Sequence, residues 1–193
     1  MSLKPAIFLD RDGTLNEDRG YVWRWADFYW LKGVPEALLK LQKAGFKLVV
    51  VTNQAGVAKG LYQEKDVLAL QRLIAEDLKK LGVTLDGYYF CPHRSGERPP
   101  CACRKPAPGL LLKAASDLGL ALNASYLVGD KISDIQAGLA AGVQTILVRT
   151  GYGLTAEPEV TPKTKVFDDL PKAADYILLK APNLDPNPNL DGS

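Results

Sequence analysis

Four short stretches carry side chains suited to chemistry on a phosphate ester. "DRDGT" supplies Asp10, Asp12 and Thr14, and "TNQ" supplies Thr52, Asn53 and Gln54. "RKP" supplies Arg104 and Lys105, and "GDKISD" supplies Asp130, Lys131 and Asp134. A lone pair of carboxylates is commonly a turn or a cap. Carboxylates, a hydroxyl and a lysine recurring at the ends of successive apolar runs point instead to one shared site. Asp10, Asp12 and Asp130 packed together repel one another, and a hard divalent cation such as magnesium relieves that repulsion. A carboxylate so screened can attack phosphorus and form an aspartyl-phosphate. Lys105 and the Thr52 hydroxyl can hold the remaining phosphoryl oxygens. Asp12, two residues beyond Asp10 on an extended segment, points to the same side. It can protonate the leaving alkoxide and later deprotonate water.

A further stretch, "CPHRSGERPPCAC", gathers every cysteine and the only histidine of the 193-residue chain. A cysteine phosphatase needs Cys-x5-Arg, whereas Cys91 to Arg98 is Cys-x6-Arg, and the prolines stiffen a loop that would have to wrap phosphate. A disulfide would leave one cysteine over. Cys91, His93, Cys101 and Cys103 supply enough ligands to close a tetrahedron around zinc, and a closed shell makes that zinc structural. Buried free thiols are the alternative. Because the segment leads into Arg104 and Lys105, fixing it fixes two cations.

The elements that must position these groups are legible as well. The runs 6–10, 47–52, 88–91, 126–130 and 145–150 read as buried strands. Helical spacing occupies 34–44, 63–82, 108–119 and 132–142, with Gly45, Gly82, Gly119 and Gly142 as C-cap candidates. A last strand is expected at 165–167 and a last helix at 171–180. Alternation of strand and helix predicts a doubly wound α/β parallel sheet, in which ligands bind beyond the carboxyl ends of the strands. The length suits one domain over 1–180, followed by a Pro/Asn-rich disordered tail over 181–193.

With 47% hydrophobic residues and a net charge of +2, the composition is that of an ordinary globular protein. No basic stripe implies nucleic acid. No apolar run is long enough for a membrane span, and the N-terminus does not read as a signal peptide, so a cytoplasmic protein is expected. The segment 15–33 is too short to fold as a cap domain, and a monomer is expected. That segment holds Trp23, Trp25 and Trp30 with Tyr21, Phe28 and Tyr29. Its rings could flank a sugar, or form a small core beneath a flap with only Tyr21 near substrate; the second reading is preferred.

The four motifs, in this order and at these spacings across 6–150, resemble those of the haloacid dehalogenase-like (HAD-like) phosphatases. The resemblance implies Asp10 as nucleophile, Asp12 as acid/base, Thr52 and Lys105 as phosphoryl clamps, and Asp130 as magnesium ligand. It also implies metal contacts from the Asp10 side chain and the main-chain carbonyl of Asp12. Asp134 would orient Lys105 or a metal-bound water, or else only begin a surface helix. With "DRGYV", "TNQAGVAKG" and the zinc loop added, the chain resembles the family of heptose 1,7-bisphosphate phosphatases, which serves nucleotide-activated heptose for lipopolysaccharide. That resemblance implies substrate contacts from Asp18, Arg19, Gly20, Tyr21, Asn53, Gln54, Arg104 and Lys131, and a small sugar bisphosphate as substrate. Arg104 and Lys131 suit its second, non-reacting phosphate. Histidinol-phosphate phosphatases share part of the pattern. A receiver-like signalling module would combine similar residues on a similar sheet, but the order Asp, Thr, Lys, Asp and the "DxD" step disagree with it.

Overall fold

The computed structural model describes residues 3–96 and 100–181. Six parallel strands form one sheet: β1 (Ala6–Leu9), β2 (Lys47–Asn53), β3 (Gly87–Cys91), β4 (Tyr126–Gly129), β5 (Gln144–Val148) and β6 (Lys165–Phe167). Their spatial order is β3-β2-β1-β4-β5-β6. The registers bring Ile7 beside both Leu48 and Tyr126. Strand order therefore reverses around β1, with β2 on one side and β4 on the other, and this is where a doubly wound sheet opens a crevice.

Side-chain alternation along the strands explains the two layers of helices. Ile7 and Leu9 face the same core as α1 (Val34–Lys43), α2 (Glu64–Lys80) and α6 (Leu170–Lys180). Ala6 and Phe8 face the other core, with α3 (Gly109–Leu118) and α4 (Ile132–Ala141). Leu38 and Leu41 on α1 and Leu111 on α3 are fully buried. Truncating any one of them to Ala would cost about 2–5 kcal/mol.

Gly45, Gly82, Gly119 and Gly142 all take positive φ just past their helices, as expected of C-caps. Elements of a turn or so also occur: α5 (Gly153–Ala156) and 3-10 turns at Trp25–Asp27, Leu122–Ala124 and Glu157–Glu159. The segment between β1 and α1 carries no cap domain. Its aromatic rings stack on one another and on the body: Trp25 on Phe28 at 5.3 Å, Phe28 edge-on to Trp30 at 4.8 Å, and Trp23 against Tyr62 at 6.0 Å. The Trp30 indole donates to Asp77 at 2.9 Å. The expected disordered tail lies outside the described residues beyond Ala181.

Candidate active site and metal centres

The first strand ends by delivering Asp10 to the floor of the crevice, where it is 4% exposed. Lys105 approaches from the loop that follows β3 and is 3% exposed. Its ammonium lies 2.7 Å from Asp10 Oδ1 and 2.7 Å from Asp134 Oδ1, and donates to the Val51 carbonyl at 2.6 Å. Three acceptors thus surround the buried ammonium, Asp10 and Val51 through hydrogen bonds and Asp134 as an ion pair. The backbone of Lys105 is fixed from β2. Its N–H donates to Asn53 Oδ1 at 3.1 Å, and its carbonyl accepts from Asn53 Nδ2 at 3.0 Å.

Burial opposes the charged form of Lys105, but Asp10 and Asp134 outweigh it and hold the pKa above its usual value. Burial likewise pushes the Asp10 carboxyl up, and Lys105 and Lys131 together bring it below the ordinary carboxylate range. Asp130 has a weaker counterweight, the Lys131 ammonium 3.9 Å from Oδ1. Burial, reinforced by the charge of Asp10, raises it to about 8.

Asp10, Asp130 and Asp134 each place a carboxylate oxygen within 4.8 Å of the others. Asp134 has both oxygens committed, one to Lys105 and the other accepting from the Lys131 N–H at 3.0 Å. Of its expected roles, orienting Lys105 and beginning a helix both fit the geometry, since Lys131 is the N-cap of α4, although Asp134 is buried rather than at the surface. Asp130 Oδ2 accepts from the Tyr152 N–H at 2.9 Å, while Asp130 Oδ1 is buried without a hydrogen-bond donor among the described residues. A methyl group added at Gly13 would collide with Asp130 Oδ2, and Gly13 has φ 92°. Only glycine leaves this cradle open. An orphaned carboxylate oxygen beside Asp10 fits a divalent cation.

Asp12 faces the same crevice but answers to different partners. Arg11, 0% exposed, wraps it: Nη2 lies 2.7 Å from Oδ2 and 3.0 Å from Oδ1, and Nε 3.1 Å from Oδ1. Asn16 Nδ2 donates to Oδ1 at 3.0 Å, and Gln54 Nε2 to Oδ2 at 3.1 Å. The carboxylate of Asp12 is therefore absent from the cation cluster, and only its carbonyl remains for the expected metal contact. Gln54 also donates to Thr52 Oγ1 at 3.0 Å and accepts from the Tyr62 hydroxyl at 2.8 Å. With a donor already in place, the Thr52 hydroxyl proton is left to give to a ligand.

Above this floor opens a cleft of about 740 Å³, lined in part by Asp12, Asp18, Tyr21, Lys59, Arg104 and Lys131. Lys131 donates to Asp18 at 3.0 Å and lies 5.0 Å from the centre of the Tyr152 ring. Burial opposes its charge, but Asp10, Asp130 and Asp18 hold its pKa above the ordinary value. Arg104 donates to the His93 carbonyl at 2.9 Å. Tyr21 takes φ 51°, uncommon for an aromatic residue, and its hydroxyl meets the Lys59 ammonium across the cleft.

The expected substrate contacts separate into groups. Asp18, Gly20, Tyr21, Asn53, Gln54, Arg104 and Lys131 all line the cleft. Arg19 does not; its guanidinium lies over the Tyr29 ring at 4.6 Å, 3.8 Å from Glu17. Asn53 and Gln54 are engaged by Lys105, Thr52, Asp12 and Tyr62, so their first task is to hold other site residues. None of the three tryptophans lines the cleft, whereas Tyr21 does, in keeping with the small-core reading of that segment.

Four residues of the cysteine loop converge. Cys91 Sγ lies 3.4 Å from His93 Nδ1, 3.2 Å from Cys103 Sγ and 3.7 Å from Cys101 Sγ, and Cys103 Sγ lies 3.3 Å from His93 Nδ1. Tetrahedral zinc places such ligand atoms roughly 3.5–3.8 Å apart. The spacing and the soft donor set fit that ion, and Arg104 ties the loop to the cleft wall. Burial raises the Cys91 thiol, which does not suit a nucleophile.

Sequence reasoning overlooked Arg11 and Tyr62. Arg11 stands inside "DRDGT", and an arginine flanked by two required carboxylates was a usable signal. Tyr62 had none, since its partner Gln54 is reached only through the folded loop.

Comparison with known proteins agrees with this geometry. Residues 102–173 match the family described as HAD-hydrolase-like. A Yersinia pestis protein named D-glycero-beta-D-manno-heptose-1,7-bisphosphate 7-phosphatase is 48% identical over 177 residues, covering 88% of this chain and 94% of its own. An Escherichia coli K12 protein of the same name is 50% identical over 180 residues, covering 90% and 88%. A solved structure described as the D,D-heptose 1,7-bisphosphate phosphatase of B. bronchiseptica, complexed with magnesium and phosphate, superposes with TM-score 0.85. It is 32% identical and covers 91% of this chain and 99% of its own.

Proposed function

The chain belongs to the heptose 1,7-bisphosphate 7-phosphatase family of HAD-like hydrolases, and from that premise we propose that it removes the 7-phosphate of D-glycero-β-D-manno-heptose 1,7-bisphosphate. The β anomer is the one its relatives' names specify. The carrying observation is the pairing of Asp10 with Lys105 at 2.7 Å on the floor of a cleft whose walls hold further cations.

In this reading Asp10 attacks phosphorus, and the bond to the sugar oxygen breaks as Asp12 gives that oxygen its proton. Asp12 then takes a proton from water, which cleaves the aspartyl-phosphate and releases inorganic phosphate. Lys105 and the Thr52 hydroxyl hold the phosphoryl oxygens through both steps. Arg104 and Lys131 hold the other phosphate, while Asp18, Gly20 and Tyr21 face the sugar.

Asp10, Asp130 and the main-chain carbonyl of Asp12 would hold magnesium. When bound, the ion supplies the positive charge that lets an anionic carboxylate approach an anionic ester. Cys91, His93, Cys101 and Cys103 would hold a structural zinc. In this reading the chain acts as a monomer, and the activity suits a cytoplasmic step of surface-glycan synthesis. Among the described residues no helix is long and apolar enough to cross a membrane.

Histidinol phosphate is the competing substrate, and it lacks a second phosphate for Arg104 and Lys131. Measuring kcat/KM on both compounds with magnesium decides between them. The bisphosphate should win; preference for histidinol phosphate by about tenfold, roughly 1.4 kcal/mol of transition-state binding, would overturn the assignment.

A further inference from the structure

We propose that Arg11, which does not line the cleft, is the positioning residue for acid/base chemistry at Asp12; the proposal rests on the phosphatase reading above. Arg11 is one of the largest fully buried side chains in the protein, with 0% exposure. A buried guanidinium is costly unless its donors are filled. Here they are turned onto the neighbouring carboxylate, the Val22 carbonyl and the Tyr88 hydroxyl, the last at 3.5 Å. Among the described residues its other hydrogen-bond partners, Val22 and Tyr88, are neutral acceptors. The carboxylate of Asp12 is the reason for the charge.

The geometry of the contact defines the task. Arg11 Nη2 bridges both oxygens of Asp12, at 2.7 and 3.0 Å, and Nε adds a third bond at 3.1 Å. A planar fork that grips a planar group fixes its rotation, which a lysine ammonium cannot do. Asn16 closes the Oδ1 side, while on the Oδ2 side Gln54 is steadied by Tyr62. Oδ1 receives three donors and Oδ2 two, so Oδ2 is the oxygen better able to exchange a proton with a ligand in the cleft. Arg11 thus does for Asp12 what Asn53 does for Lys105: it holds a working group still from behind.

A residue that acts through an acid/base group leaves a chemical signature. Its loss should matter most when the leaving group is a poor one that needs the proton. The experiment compares wild type, R11K, R11M, D12N and the R11M/D12N double variant on the sugar bisphosphate and on 4-nitrophenyl phosphate, whose aryl oxide leaves unaided. On the bisphosphate R11M should lose about 10²-fold or more in kcat, the scale of general acid–base catalysis, with KM little changed. On the aryl ester the loss should be much smaller, and the double variant should be no slower than D12N alone, as for residues acting as one unit. R11K, which keeps the charge but not the fork, should show an intermediate loss with the same dependence on leaving group, and it serves where R11M does not fold.

Equal losses on the two esters in R11K or R11M, or additive losses in the double variant, would overturn the proposal while leaving the phosphatase reading intact. If D12N itself shows no dependence on leaving group, the acid/base assignment falls and Arg11's role falls with it.

Discussion

Replacing Asp134 by Asn tests the electrostatic frame of the site without changing its shape. Asp134 is 1% exposed and faces two donors at once: the Lys105 ammonium at 2.7 Å and the Lys131 N–H at 3.0 Å. A carboxylate can accept both. An amide has one accepting oxygen and one donating nitrogen, so the substituted side chain must turn its NH2 toward one of those donors. Lys105 retains Asp10 and the Val51 carbonyl but loses one of two anionic partners. The loss of a charged hydrogen bond costs about 1.5–3 kcal/mol, and an unsatisfied buried donor about 1–3 kcal/mol more. Together these make about 2.5–6 kcal/mol, which brackets the usual cost of breaking a buried ion pair, about 3–5 kcal/mol. For a chain of this size that corresponds to a fall in Tm of about 6–20 °C, readable by calorimetry or circular dichroism. A Tm within about 2 °C of the parent would mean that Asp134 is not part of the frame.

Metal-free protein should grow less stable as pH rises, because burial and then Asp10 push Asp130 up to about 8. A carboxyl raised on folding contributes its full stability below the unfolded value of about 3.9 and loses it as pH climbs through the folded one. The fall in Tm from about pH 5 to pH 8 should shrink in Asp130→Asn and in excess magnesium; an unchanged slope in both would remove Asp130 from the metal centre. Protein purified without chelators should carry about one zinc per chain. Stripping that zinc should lower kcat/KM through Arg104 and Lys105 before the main unfolding transition is lost; a zinc-free preparation of full activity would contradict the clamp.

Much of this was legible in the sequence because the strongest signals were local. Each strand is a short apolar run whose carboxyl end faces the crevice, so Asp10, Thr52 and Asp130 could be assigned to one rim from order alone. The cysteine loop was legible because its ligands lie within 13 residues of one another. What escaped depends on contacts between distant segments. Arg11 is buried only because residues 22 and 88 close over it. Asn53 and Gln54 read as substrate contacts because motif position does not reveal that Lys105, 52 residues away, takes both ends of the Asn53 amide. Arg19 sits in a motif whose neighbours face the cleft, and only the turn geometry sends it toward Tyr29 instead. The one-turn helix α5 has too few residues for periodicity to register.

The central claim is that Asp10 carries the phosphoryl group. Enzyme mixed with substrate radiolabelled at the 7-phosphate and quenched in acid should hold hydroxylamine-sensitive label on the peptide containing Asp10. Asp10→Asn should hold none and should not turn over. Label on another residue, or turnover surviving in Asp10→Asn, would contradict the account.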